Sequence, residues 1–104
     1  MKVYLSGRIK DYPNFNLHFN AIARKLRSLN FCDVVSPIEL EFPPEATYED
    51  FMRIDLLALL ECDAIYMLDG WERSAGARCE HLVASMTGMK VYYEDGKKTP
   101  VSSL

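Results

Sequence analysis

Glu80, Asp55 and Tyr4 are residues whose types and positions in this chain suit chemistry at a shared site. Two carboxyl groups and a phenol drawn to one rim could act at a glycosidic carbon. One carboxylate attacks that carbon or stabilises its developing positive charge, the other carboxyl protonates the leaving group, and the hydroxyl fixes the nucleophile. The residues around them suit an anion. Ser6, Gly7, Arg8 and Lys10 follow one another closely near the start of the chain. Further on, Asp69-Gly70-Trp71-Glu72-Arg73-Ser74-Ala75-Gly76-Ala77 leads into a segment carrying Arg78, Glu80 and His81. Small residues let a ligand approach the backbone, and the free N–H groups of a helix start attract negative charge.

Each of these residues also has a plainer reading. Tyr4 sits in an apolar run, where its ring is either core or a body carrying a hydroxyl into a crevice. Asp55 lies within Met52-Arg53-Ile54-Asp55-Leu56-Leu57-Ala58-Leu59-Leu60. It is either on a narrow exposed stripe or part-buried, where desolvation raises its pKa. Glu80 is either a nucleophile or a solvated helix residue. Arg8 and Lys10 are surface charges or a phosphate clamp beside backbone N–H groups. Ser74 either caps the helix that follows or gives a hydroxyl to the same anion, with Gly76 allowing close approach. Trp71, the single tryptophan, either stacks on a base at the rim or is a structural wedge. His81 follows Glu80 directly and so points about 100 degrees away from it on a helix; it receives no catalytic role. Neither a GxGxxG loop nor a P-loop spacing is present.

These side chains need elements to position them. Lys2 to Ser6 reads as a short strand ending at Gly7. Phe15, Phe19, Ile22, Ala23, Leu26 and Leu29 recur with a helical period over Asn14 to Leu29. Phe31 to Val35 reads as a second strand, and residues 37–47, with Pro37, Pro43 and Pro44, as a loop. Thr47, with Asp50 three residues on, resembles a cap for a helix running to about Glu61. A third strand over Ala64 to Leu68, a third helix over 75–87 and a fourth strand from Lys90 to Tyr93 complete the pattern, and residues 95–104 read as a polar tail. Strands alternating with helices imply a small α/β domain over 1–94, a doubly wound parallel sheet of about four to five strands with helices on both faces. In such sheets ligands bind beyond the carboxyl ends of the strands, where strand order reverses. Ser6-Gly7-Arg8, Ser36-Pro37 and Asp69-Gly70-Trp71 should therefore share one rim.

Composition narrows the partners. The 104 residues fit one domain, and 49% hydrophobic content is enough for a core. No apolar run reaches the roughly 18 to 20 residues of a bilayer helix. The opening Met-Lys-Val-Tyr-Leu-Ser-Gly is too short an apolar stretch for a signal peptide, so a cytoplasmic protein is expected. A formal net charge of -3 argues against duplex nucleic acid while leaving room for a small anionic ligand. Cys32, Cys62 and Cys79 lack CxxC spacing and, with only His18 and His81, make no zinc pattern. They read as buried free thiols, and neither metal nor cofactor is expected. A domain of this size gains from association with a second copy.

Val3-Tyr4-Leu5-Ser6-Gly7, then Met52-Arg53-Ile54-Asp55, then Ser74-Ala75-Gly76-Ala77-Arg78-Cys79-Glu80 together resemble the nucleoside 2-deoxyribosyltransferase superfamily, in particular its small branch found in phages and bacteria. The resemblance spans Met1 to Tyr93. It implies cleavage of the N-glycosidic bond of a deoxynucleoside or its 5′-monophosphate. Glu80 would attack C1′ and carry a covalent glycosyl intermediate, Tyr4 would hydrogen-bond Glu80, and Asp55 would help protonate the departing base. Water would then release the sugar, or a second base would take it. Ser74 would hold a 5′-phosphate. The resemblance also implies a homodimer or higher homo-oligomer in which a neighbouring subunit often completes the pocket. Arg8 stands where the nucleotide hydrolases tend to have a small hydroxyl residue, and Lys10 where they often have Arg. With the fourth strand expected to end at Tyr93, the C-terminal strand and helix of larger members are expected to be missing or minimal. A nucleotide-binding or nucleotide-signal-sequestering protein without turnover is the alternative.

Overall fold

Residues of alternating direction on β1 (Lys2–Ser6) separate the molecule into two layers. Val3 and Leu5 join an apolar cluster with Phe19, Ile22, Ala23, Leu26 and Val34. Tyr4 faces the other way, into a cluster with Leu59, Ile65, Met67, Ala77 and Ala84. The period of two along a strand produces this split, and a strand apolar on both faces belongs inside a sheet. The computed structural model describes residues 1–30 and 32–96. Phe31, the first residue of the expected second strand, and residues 97–104 of the expected tail lie outside the described residues.

The sheet has four parallel strands in the order β2-β1-β3-β4, with β2 at Asp33–Val35, β3 at Ala64–Met67 and β4 at Lys90–Tyr93. Tyr4 pairs in register with Val35 on one side and Ile65 on the other. The chain therefore leaves β1 toward one edge, returns to place β3 on its opposite flank, and continues outward to β4. Right-handed crossovers then put α1 (Phe15–Arg27) on one face and α2 (Tyr48–Leu60) with α3 (Ala75–Met86) on the other. The α/β class and the doubly wound parallel sheet expected from the sequence are what the structure has.

Local chemistry sets the helix starts. Thr47 Oγ1 accepts from Asp50 N at 3.2 Å while Asp50 Oδ2 accepts from Thr47 N at 3.0 Å, a reciprocal capping box for α2. Ser74 Oγ accepts from Ala77 N at 3.1 Å and starts α3. Arg24, Lys25 and Arg27 sit in the last turn of α1, where the exposed carbonyl end favours cations. Between Val35 and α2 the expected loop contains one 3-10 turn at Pro37–Glu39, which Pro37 can open because the first helical N–H has no partner in any case. A second such turn, Trp71–Arg73, separates β3 from α3. Gly70 precedes it at φ 90°, a left-handed conformation that glycine takes without strain.

Candidate functional site

The site lies at the reversal of strand order, over the carboxyl ends of β1 and β3. A cavity of about 1010 Å³ opens there, bounded by the β1–α1 loop, the segment after β2, the first two turns of α2 and the start of α3. Glu80 and Asp55 both line it.

Glu80 projects from the second turn of α3 toward β1 and is 5% exposed. The Tyr4 hydroxyl donates to its Oε2 and the Ser6 hydroxyl to its Oε1, each at 2.6 Å. Alternate residues on one strand thus grip both oxygens of one carboxylate. Burial pushes the Glu80 carboxyl up to about 7, the two hydroxyl donors pull it down, and the negative field of Asp55 raises it further. Tyr4 titrates well above its usual 10.0, through burial first and then the nearby Glu80 charge, so it remains a donor. Asp55 comes from the middle of α2 and is part-buried; burial raises it to about 6. Its Oδ1 is buried without a hydrogen-bond partner. A buried polar oxygen lacking a partner is costly unless a ligand or water supplies one.

Cationic groups surround this acidic floor. Arg8, Lys10, Arg73 and Arg78 all line the cavity. Arg78 is anchored through its donation to the Glu72 carbonyl at 2.7 Å, and Arg8 through donation to the Asp11 carbonyl at 3.0 Å. At the start of α3 the N–H groups of Ala77 and Arg78 are taken by Ser74. Those of Ala75 and Gly76 stand ahead of them, as the first orphan donors of the helix. The opposite wall is apolar and aromatic. Phe42 and Phe51 meet edge to face with centroids 4.7 Å apart, flanked by Pro37, Ile38 and Met52. The arrangement offers an apolar, aromatic wall, a carboxyl pair and an anion-attracting rim.

Residues 1–93 match a family described as Domain of unknown function (DUF4406). The chain belongs to that family. No curated protein matches it. The DUF4406 match covers every element that builds the cavity.

Most of the residues singled out from the sequence come together: Tyr4, Asp55 and Glu80, with Gly7, Arg8, Lys10, Ser74 and Gly76 on the cavity wall. Two are placed differently. Trp71 is not at the rim. Its indole is buried, stacked on the His81 ring at 4.4 Å and tilted toward Tyr93, because the turn at 71–73 tucks it beneath α3 instead of over the strand ends. Ser6 is fully buried and spends its hydroxyl on Glu80, so it cannot reach a phosphate. Gly7 is small for packing: a Cβ there would stand 3.0 Å from Leu68 Cβ and 3.3 Å from Phe19 Cζ. His81 donates to or accepts from the Tyr93 hydroxyl at 2.8 Å, away from the cavity. Of the free thiols only Cys62 is buried; Cys32 and Cys79 are half-buried.

Arg73 and Arg78 as rim cations, Ser6 as a carboxylate donor and the Phe42–Phe51 wall emerge only in the fold. Ser6 was two residues from Tyr4 on a strand, which places both on one face, and that spacing was the available signal. Among the described residues no cluster of three or more metal-ligating side chains occurs, and no helix is long and apolar enough to cross a membrane.

Proposed function

We propose that the cavity binds a nucleoside 5′-phosphate or a related nucleotide and cleaves its N-glycosidic bond. The observation that carries this reading is Glu80 held between the Tyr4 and Ser6 hydroxyls on the floor of a cavity that Asp55 also lines. The resemblance to nucleoside 2-deoxyribosyltransferases supports it independently of the geometry.

The phosphate sits against the α3 start, with the Ser74 hydroxyl and the rim cations around it. The base lies against the aromatic wall of Phe42 and Phe51, and the sugar bridges base and phosphate over Glu80. A Glu80 oxygen attacks C1′ as the C1′–N bond breaks, and the bonding pair leaves with the base, which takes the Asp55 proton. Water then attacks C1′, gives its proton to Asp55 and releases Glu80; a second base in place of water makes the reaction a transfer. Ligand entry itself separates the two acids. Filling the cavity strips water from Asp55 and raises it, while positive charge developing at C1′ favours ionised Glu80. The protein acts on nucleotide pools of the cytoplasm, in the host cell where the gene is phage-borne. Leu57, Leu60, Leu82 and Met86, all at least half exposed on α2 and α3, support pairing with a second copy, which sedimentation analysis tests.

The test is release of free base from a panel of nucleosides and nucleotides, followed by chromatography. Wild type should release base from at least one phosphorylated substrate, and Glu80→Gln should lower that rate by about 10³-fold or more. No release from any substrate at high protein concentration sinks the enzymatic reading.

A second reading keeps the ligand and drops the turnover. One observation favours it: both oxygens of Glu80 already accept a hydrogen bond, which makes the carboxylate less basic as a nucleophile while leaving it able to accept from a ribose hydroxyl. Tight calorimetric binding with full recovery of unchanged ligand would establish this sequestering role.

A further inference from the structure

Beyond Glu80 and Asp55, a second polar chain runs along the carboxyl ends of the strands, and the proposed reaction does not use it. The Tyr12 hydroxyl lies 3.1 Å from His18 Nδ1, His18 Nε2 lies 2.7 Å from Glu94 Oε1, and the same oxygen accepts from Asp69 N at 2.8 Å. The contacts are mutually compatible: the Tyr12 hydroxyl pairs with Nδ1, Nε2 pairs with the Glu94 carboxylate, and Asp69 N–H donates to that carboxylate as well. The chain begins in the β1–α1 loop, passes through α1, and ends on segments that follow β4 and β3. Three separate carboxyl-end segments are thereby tied at one point.

What the chain holds is the loop carrying Arg8 and Lys10. The Arg8 guanidinium carbon lies 6.0 Å from the Tyr12 ring centroid, and Arg8 also donates to the Asp11 carbonyl. Asp11 has φ 60°, a left-handed turn that a non-glycine residue keeps only when its surroundings fix it. Tyr12 N donates to Ile9 O and Phe15 N to Tyr12 O, so Tyr12 is where this turn joins α1. The Tyr12 and His18 rings also meet edge to face at 5.8 Å.

From this we infer that Tyr12, His18 and Glu94 are positioning residues for anion recognition: they hold the β1–α1 loop so that Arg8 faces the cavity. None of the three touches the ligand. The inference rests on the nucleotide reading of the cavity for its ligand, but not for its effect on the loop.

Two measurements test it. Hydrogen exchange on the free protein follows the Tyr12 and Phe15 amides, which the turn protects. His18→Phe and Tyr12→Phe should accelerate both by about tenfold or more, with the β1 and β3 amides unchanged; unchanged loop exchange overturns the inference. Calorimetry then uses the four 2′-deoxynucleoside 5′-monophosphates and their nucleosides, in a Glu80→Gln background where no turnover intrudes. His18→Phe should weaken monophosphate binding about tenfold and leave nucleoside binding unchanged. With Arg8→Ala already present, the same substitution should add little. Equal weakening of both ligand types, or full additivity with Arg8→Ala, shows a structural role only and overturns the inference. If none of these ligands binds before His18 is changed, the nucleotide reading falls and takes the ligand arm with it. The exchange result still decides by itself whether the chain holds the loop.

Discussion

The two layers on either side of the sheet share strand β1 and differ in what they bury. Toward α1, the layer is hydrocarbon and ring: Val3, Leu5, Phe19, Ile22, Leu26 and Val34. Toward α2 and α3, the same strand turns Tyr4 and Ser6 inward, and the layer they enter holds a carboxyl group that is 5% exposed. The first layer gains free energy from every group removed from water. The second gives some back, because a desolvated carboxyl is comfortable only when protonated. One layer holds the fold together, and the other keeps a reactive group poised within it.

The sharpest way to break that division is to cut into the α1 layer. Phe19 is fully buried, with its ring against Gly7 and Leu68. Phe19→Ala should cost about 3–5 kcal/mol, a large part of the stability of a domain whose total is about 5–15 kcal/mol. Urea denaturation followed by circular dichroism checks this. A cost below about 1 kcal/mol would mean that the apolar layer is not where the stability lies.

On the other layer the expected sign is opposite. Glu80 titrates near 7 in the fold against an ordinary 4.5. A carboxyl raised on folding contributes fully to stability below about 4.5, and that contribution is lost as pH rises toward 7. The loss across this window is about 3 kcal/mol, after which the curve is flat with respect to this group. Glu80→Gln keeps the shape and cannot ionise. It should remove most of that pH dependence and make the protein more stable than wild type at pH 8. Denaturation midpoints of the two proteins from pH 4 to pH 8 decide the matter, and parallel curves would show that Glu80 is not desolvated.

This asymmetry explains what could be read in the sequence. The strand limits Lys2–Ser6 and Lys90–Tyr93 and the Thr47–Asp50 capping box follow from local pattern, since alternation and cap chemistry act over a few residues. The α/β order follows from the elements. Tyr4, Asp55 and Glu80 could be named as candidates, but their roles were ambiguous, because whether Glu80 is buried depends on how α3 crosses β1, which no local pattern encodes. The choice between rim and wedge for Trp71 turns on the same thing: a 3-10 turn after Gly70 directs its ring onto His81, which makes it the wedge. Phe42 and Phe51 meet only when the segment after β2 folds back on α2.

Within the second layer, Tyr4→Phe separates holding Glu80 from filling space. The ring stays and only the donor to Oε2 is lost. With one of its two stabilising donors gone, Glu80 should titrate higher still, moving the acid limb of the activity profile to higher pH. Stability at pH 8, where the carboxylate is ionised, should fall by about 2 kcal/mol. A pH–rate profile and a denaturation curve on the same variant give both readings. An unshifted acid limb would remove Tyr4 from the site.

Ser74 tests the comparison at its finest, because it has one foot in each function. Its Oγ accepts from Ala77 N, which leaves its own O–H free to donate into the cavity it lines. As a cap, Ser74→Ala should cost about 1 kcal/mol of stability, whereas Ser74→Gly should cost only a few tenths. As a phosphate donor, the hydroxyl is missing equally in both variants, so both should lose about tenfold in affinity for a nucleoside monophosphate. The two variants should therefore separate in thermal melts and coincide in calorimetry. If instead glycine restores affinity along with stability, Ser74 serves the helix alone, and the phosphate depends on the rim cations and the Ala75 and Gly76 amides.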